Sequence, residues 1–339
     1  MKFKRYLAGV LLISMLFSLT SCAKQKHYKP EDYGMTLDIS AYEDFKILQL
    51  TDIHVANKDD RERQYDFLDQ LITKADPDMI IITGDLFTFA DRIVMKELFA
   101  FFDSFGLPWT CVFGNHDEQC YFSVDELTKY LNDFGGSCLF RDLQDDDVNG
   151  NSNFYIDLEK DGKLFEQLIL MDSNRYCFGD YIGYDYIKQD QIDWYEAVVD
   201  DTTARNGGEV LDSLLFFHIP LPEWNDAWNA VESGSPDAEY IMGVKNEKTC
   251  SPEYNSGFFD KILEKDSSRL IAVGHDHLNN FLVKYKGVYL SYGVNTTDRI
   301  YFTEELLGGR LFTLHSDHSL SFDDILLNYE DYKEGGKLK

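Results

Sequence analysis

Two kinds of segment divide the hydrophobic positions of this chain. Short apolar runs stop abruptly at a polar cluster, and longer stretches repeat apolar residues every three to four positions. Phe45 to Thr51, Met79 to Ile82 and Trp109 to Phe113 are the first three short runs. Continuous apolar character of this kind predicts strands covered on both faces. Between them, Tyr65, Leu68, Leu71 and Ile72 mark a helix over Arg61 to Lys74, and Val94, Leu98, Phe101, Phe102 and Phe105 mark another over Asp91 to Phe105. Asp76-Pro77 stops the first, and Gly106 with Pro108 stops the second. Ser123 and Glu126 have the spacing of a capping box and open a third helix with Leu127, Tyr130, Leu131 and Phe134, closed by Gly135-Gly136.

Strand and helix in alternation predict a parallel sheet wound with helices. The pattern then changes. Phe154 to Leu158 and Leu164 to Met171 flank a turn at Lys160-Asp161-Gly162, which predicts a hairpin and an antiparallel portion. A helix is expected from Asp190 to Val199, and a strand from Ser213 to Phe217 that Pro220 and Pro222 keep from continuing. Leu221 to Gly257 is expected to be a long irregular insertion carrying Trp224, Trp228, Tyr240 and Tyr254, and loops of that length are usually functional. A short helix from Gly257 to Lys265 and a strand from Leu270 to Val273 follow. Closing strands are expected around Phe281 to Tyr285, Val288 to Tyr292, Arg310 to Leu314 and Ser319 to Ile325.

With 339 residues and 44% hydrophobic content the chain can bury a large core. One domain over residues 44–329 is expected, because polar strand-end clusters run from Asp52 to His277 and no cut leaves a self-sufficient half. Only the termini look separable. Lys2, Lys4 and Arg5 precede an apolar run from Tyr6 to Leu19, the pattern of an export signal and shorter than the roughly 20 apolar residues of a membrane span. Leu19-Thr20-Ser21-Cys22 resembles the bacterial lipoprotein box, which implies cleavage before Cys22, a lipid on that cysteine and a protein held at the outer face of a membrane; the alternative is a plain secretory signal cut at a small residue. Residues 23–43 are then expected to be a tether, and 330–339 a charged tail.

Loss of that signal takes the formal charge from −28 to −31. Such a surface disfavours nucleic acid and anionic lipid. Five cysteines remain after Cys22, an odd number without regular spacing. They make no disulfide framework, leave one or two bridges open, and lack the paired spacing of a zinc ribbon.

The chemistry lies where the apolar runs stop. Asp52 and His54 follow the first, Asp85 the second, Asn115, His116 and Asp117 the third, His218 the later strand, and His275 with His277 the last. Ligands of wound sheets bind at such carboxyl ends, so five distant segments can meet at one rim. Singly, each residue has a plain reading: a partly buried histidine, a helix cap at Asp85, a turn former at Asn115.

As an ordered set, Asp52-x-His54, Gly84-Asp85, Gly114-Asn115-His116-Asp117, His218 before a proline-rich loop and Gly274-His275-Asp276-His277 resemble the calcineurin-like metallophosphoesterases. Leu-Phe-Thr after Asp85, Ile-Pro-Leu-Pro after His218 and Asn-Ser-Gly-Phe-Phe at 255–259 are most similar to the purple-acid-phosphatase-like branch. The resemblance implies an α/β (α+β) fold of two mixed sheets packed as a sandwich and flanked by helices. It implies two divalent ions, one on Asp52, His54 and His277, the other on Asn115, His218 and His275, with Asp85 bridging. A hydroxide shared by the ions would attack phosphorus of a phosphate ester in line. His116 would act as the non-ligand catalytic histidine, with Asp117 beside it to hold its imidazole protonated.

One position departs from the pattern. Purple acid phosphatases proper carry tyrosine three residues after the bridging aspartate, and here Thr88 stands there. A coloured ferric site is therefore not expected, and manganese, zinc or ferrous iron remain open. The alternative to a phosphatase or phosphodiesterase is a surface binding lipoprotein that keeps the fold without turnover. His27, His315 and His318 are expected at the surface. Trp224 and Trp228 are expected either to floor a substrate pocket or to form a packing cluster, and Asn174, Arg175 and Asn295, which follow strands, are candidates to reach the rim.

Overall fold

The computed structural model describes residues 29–57, 61–143, 147–178 and 181–330. The signal, Cys22, His27 and all but the first residue of the charged tail lie outside them. In chain order the first half holds β1 (Gly34–Asp38), β2 (Phe45–Leu50), α1 (Arg61–Ala75), β3 (Met79–Thr83), α2 (Arg92–Asp103), β4 (Trp109–Val112) and α3 (Val124–Asn132). Then come β5 (Phe154–Lys160), β6 (Lys163–Leu170), a small hairpin of β7 (Tyr176–Cys177) and β8 (Gly183–Tyr184), α4 (Gln189–Arg205) and β9 (Ser213–Phe216). The remainder is α5 (Glu223–Ser233), β10 (Ala238–Met242), α6 (Phe258–Lys265), β11 (Ser268–Val273), β12 (Leu282–Tyr285), β13 (Val288–Tyr292), β14 (Gly308–Leu314) and β15 (Leu320–Leu326).

These strands form an eight-stranded sheet in the order β1-β5-β6-β9-β11-β13-β12-β10 and a five-stranded sheet in the order β15-β14-β2-β3-β4. Both are mixed. In the larger sheet β6, β9, β11 and β13 run parallel, and in the smaller one β2, β3 and β4 do. Period-two alternation then divides the side chains. Leu168, Leu170, Leu214, Phe216, Leu270 and Ala272 join one core with β2, β3, β4 and helices α1 to α3, whereas Ile169, Met171, Leu215, Phe217, Ile271 and Val273 join another with α4, α5 and α6. The sheets therefore pack face to face with helices outside each.

One aromatic contact and several buried hydrogen bonds tie the two sheets together. Phe216 of β9 meets Phe312 of β14 edge to face at 6.1 Å. The Gln49 amide of β2 donates to Thr83 Oγ1 at 2.8 Å in its own sheet and to the Val273 carbonyl at 2.9 Å in the other. Arg310 of β14 is fully buried and donates to Asp324, to Ser291 Oγ and to the Asn280 carbonyl.

Three expectations change here. Residues 34–38, expected within a tether, form β1 and pair in parallel with the otherwise free edge of β5. Met35 to Asp38 alternate apolar and polar, with Met35 and Leu37 packed on the core, but so short a run becomes a strand by pairing with that edge. Leu221 to Gly257 is not irregular throughout, since it contains α5 and β10, and β10 extends the larger sheet beyond β12. Trp224 is buried against Phe217 and Tyr292, and Trp228 packs on Phe281, so the pair is a packing cluster and no pocket floor. The hairpin of β5 and β6 and the closing strands follow the sequence pattern.

Candidate metal centre

The parallel strands of both sheets end at one rim, and backbone bonds lock their exits together. The Asp52 amide donates to the Gly84 carbonyl, the His54 amide to the Asp85 carbonyl, and the Gly274 amide to the His218 carbonyl. Asp52 follows β2, Asp85 follows β3, Asn115 follows β4, His218 follows β9, and His275 and His277 follow β11. At Asp52, His54, Asp85 and His275 the backbone is left-handed, with φ of 56°, 51°, 52° and 79°. Non-glycine residues pay roughly 1–3 kcal/mol for such conformations, which persist where the surroundings over-determine them.

Two glycines of the motifs are explained by close approach. A β-carbon on Gly114 would lie 2.2 Å from Asp85 Oδ1, and one on Gly274 would lie 1.8 Å from Thr51 Oγ1. The loops that carry the candidate ligands thus pass against bare backbone.

All seven expected ligands are buried, and the donor atoms of six of them fall into two groups. Asp52, His54 and His277 form one, and Asp85, His218 and His275 the other, with the ligand atoms of each within 4.8 Å of one another. Asp85 Oδ2 stands between them, 3.7 Å from His54 Nε2 and 3.2 Å from His218 Nε2. His277 Nε2 lies 3.3 Å from His54 Nε2 and 3.4 Å from Asp52 Oδ1. Asn115 sits between Gly114 and His116, and the His116 amide donates to Asp85 Oδ1 at 2.7 Å.

What distinguishes this cluster from a buried polar network is which atoms are already used. Asp52 Oδ2 accepts from Thr51 Oγ1 and from the His275 amide. His54 Nδ1 is fixed by Thr88 Oγ1 at 2.7 Å, His218 Nδ1 by the Thr83 carbonyl at 2.8 Å, and His277 Nδ1 by the Tyr301 carbonyl at 3.0 Å. The Asn115 amide donates to Tyr176 Oη at 2.8 Å. The atoms left over point inward: Asp52 Oδ1, Asn115 Oδ1, His218 Nε2 and His275 Nε2 are buried without a hydrogen bond. Buried polar atoms are ordinarily satisfied, and outer partners of this kind orient metal-ligating side chains. Imidazole nitrogens, an amide oxygen and two carboxylates suit a pair of divalent cations, so the residues fit the ions the resemblance implies.

The electrostatics agree. Burial alone would raise both carboxyls, but His277 holds Asp52 below its ordinary value and His218 does the same for Asp85. Burial pulls His54 and His275 down to about 3, despite the carboxylate near each. For His218 burial works downward, yet Asp85 lifts it to about 10, and Asp52 likewise raises His277. Two carboxylates packed among imidazoles call for positive charge. A metal ion meets that demand without protonating the ring nitrogens it needs.

His116 and Asp117 part company. His116 lies edge-on to His54, with ring centroids 5.0 Å apart, and its Nδ1 faces Gln119 Oε1 at 2.9 Å. Asp117 is no partner of that imidazole. Its carboxyl accepts from the Phe87 amide at 3.0 Å and the Gly114 amide at 2.8 Å, bracing the Asn115 turn against the loop after Asp85. Burial, with the charge of Asp85, pushes Asp117 up to about 8. Adjacency in sequence suggested the pair, but the 3-10 turn over Asp117–Gln119 aims the two side chains apart.

Other expected residues fall outside the cluster. Asn174 gives its amide to the Tyr186 carbonyl and Gln191, and Asn295 gives its own to the Thr297 carbonyl. Arg175 lines a neighbouring cavity, His315 pairs with Asp44, and His318 stacks on Phe165. The cysteines Cys111, Cys120, Cys138, Cys177 and Cys250 are free thiols, with Cys111 buried in β4. The supporting Thr51, Thr83, Gln119, Tyr176 and Tyr301 carry no motif, and only strand-end position could have flagged the first two.

Comparison with known proteins gives this geometry a family. The model of the calcineurin-like phosphoesterases matches residues 45–279. Over 330 residues the chain is 30% identical to "Probable inactive purple acid phosphatase 29" of Arabidopsis thaliana, covering 86% of this chain and 81% of that one. It is 28% identical to "Probable inactive purple acid phosphatase 14" of the same plant, over 84% and 78% of the two chains. A dimetal phosphatase from Danio rerio shares the fold at a TM-score of 0.52 and 12% identity, over 83% of this chain and 99% of that one. The chain belongs to the calcineurin-like phosphoesterase family.

The different roles of Asp117 and Gln119 can be separated by substitution. Asp117→Ala strands two buried backbone donors and should lower unfolding free energy by about 2 kcal/mol in urea titrations. Gln119→Ala should leave the urea midpoint unchanged. Equal effects would refute the division.

Proposed function

We propose that this chain is a dinuclear metal-dependent hydrolase of phosphate esters. The observation that carries the reading is the set of buried ligand atoms without a hydrogen bond, Asp52 Oδ1, Asn115 Oδ1, His218 Nε2 and His275 Nε2, the first three on side chains whose other polar atom the protein already holds. Asp52, His54 and His277 would hold one ion and Asn115, His218 and His275 the other, with Asp85 shared. When bound, such ions supply charge for the phosphoryl oxygens and a water acidic enough to serve as nucleophile near neutral pH.

The chain's own residues do the rest. In-line attack on phosphorus leaves charge on the departing oxygen, and His116 is the group placed to protonate it. Gln119 occupies Nδ1 of that ring, which would leave Nε2 for the departing oxygen. The bond from the His116 backbone amide anchors that residue's main chain to the same carboxylate that stands between the two ligand groups.

The names of the two Arabidopsis relatives favour a second reading, a binding protein that has lost turnover. Against it, every ligand position of this chain is filled and His116 is present. Asp85→Ala should abolish both metal retention and hydrolysis of an aryl phosphate. His116→Ala should keep its metal, measured by elemental analysis, and lose about 100- to 10,000-fold in kcat. Turnover that survives either substitution contradicts the assignment.

We also propose that the protein is exported and lipid-anchored through Cys22 at the outer face of a bacterial membrane. Lys2, Lys4, Arg5, the apolar run and Leu19-Thr20-Ser21-Cys22 support this, and no described helix is long and apolar enough to cross a membrane. Cells fed labelled palmitate should transfer label to the wild-type protein and none to Cys22→Ser. Equal labelling of the two rules the anchor out.

A further inference from the structure

Two cavities adjoin the metal centre, and the turn at residues 116–121 divides them: Glu118 lines one and Tyr121 the other. The first, of about 360 Å³, is polar, with Arg175 on its wall. Most of its polar groups are already used within the protein. Asp172 accepts from the backbone of Asn151 and Asn174, and the Asn149 amide is spent on Asp190.

The second cavity, of about 300 Å³, differs in character. His54 and Thr88 form part of its wall, and the rings of Phe89 and Tyr121 form another. These two aromatics are 59% and 66% exposed and belong to neither hydrophobic core. Phe89 is also held with φ of 51°. A bulky residue in that region is a genuine outlier, and strain of this kind gathers at ligand sites. The backbone that imposes it is pinned: Thr88 donates to the Val55 carbonyl, Tyr121 donates to the Ala90 carbonyl, and Arg92 caps the Tyr121 carbonyl. Exposed rings on a pinned, strained loop do no packing for the fold.

We infer that this cleft receives the organic group of the substrate and that this group is flat and aromatic, an aryl or nucleobase-bearing phosphoester rather than a sugar or polyol phosphate. The inference rests on the phosphoesterase reading for the position of the phosphoryl group. With phosphate at the centre, His54 contributes both to its seat and to the cleft wall, so a substituent on the ester has a direct path into it. Ala56 and Ile300 add apolar surface to the wall and Asn57 and Arg299 a few polar groups, the mixture that small-molecule pockets show, and a volume near 300 Å³ has room for one ring system. Phe89 and Tyr121 offer the ring faces and edges it would pack against.

The test is a calorimetric titration of the full-length, manganese-loaded protein with phenylphosphonate and with methylphosphonate, neither of which can be hydrolysed. Phenylphosphonate should bind about tenfold more tightly to the wild type. Phe89→Asn, which tolerates the left-handed backbone, and Tyr121→Ala should each remove most of that preference and leave methylphosphonate affinity and metal content unchanged. Equal affinities in the wild type, no binding of either compound, or a preference that survives both substitutions overturns the inference. Aryl phosphate turnover is followed on the same samples. A phenyl preference that Phe89 and Tyr121 carry in a protein without turnover upholds the cleft and counts against the hydrolase reading alone.

Discussion

The carboxylate of Asp85 is where both sheets close. Its Oδ1 accepts the His116 amide from the turn after β4, while Oδ2 faces His54 from β2 and His218 from β9. Three strand exits from two sheets therefore converge on one side chain, buried and well below its ordinary pKa. A charge in that position, surrounded by apolar core, is costly unless it is met by opposite charge. The histidines supply part of that, and a cation pair would supply the remainder.

The cost of building such a centre is visible in the backbone around it. Four of the seven candidate ligands are held in left-handed conformations, and two loops approach so closely that only glycine fits at 114 and 274. The strands that end there are buried on both faces, which lets the two cores impose the turns. Gln49 and Arg310 lock the sheets to each other with buried hydrogen bonds, so the exits of one cannot slide relative to those of the other. Rigidity between the sheets is thus a condition for the site and more than a feature of the fold.

Much of this was legible from the sequence because strand ends carry the signal twice. An apolar run stops, and a metal-competent residue follows. The convergence of the seven candidate ligands was readable for that reason, and so were the hairpin at Lys160 to Gly162 and the capping serine at Ser123. What was not legible depended on partners far away in the chain. Gly34–Asp38 alternates over too few residues to stand alone and is completed as a strand by the edge of β5, and Ala238–Met242 pairs with β12. Asp117 looked like the partner of His116 by adjacency, whereas local turn geometry sends it to the amides of Phe87 and Gly114. Thr88 read as a missing tyrosine, and its place against His54 Nδ1 shows a role that no spacing rule announces.

A formal charge of −28 is at odds with an anionic substrate unless the site differs from the surface. Screening confines surface charge to about 8 Å at physiological ionic strength, so the local balance decides. At the rim that balance is two carboxylates against four imidazoles and an amide, which two divalent cations would turn net positive. The account therefore stands or falls on a shared two-ion centre, and electron paramagnetic resonance of the manganese-loaded protein tests it most directly. Ions about 3.5–4 Å apart around Asp85 should give two manganese per chain and an exchange-coupled spectrum. A single ion, or two with the spectrum of isolated manganese, would contradict it.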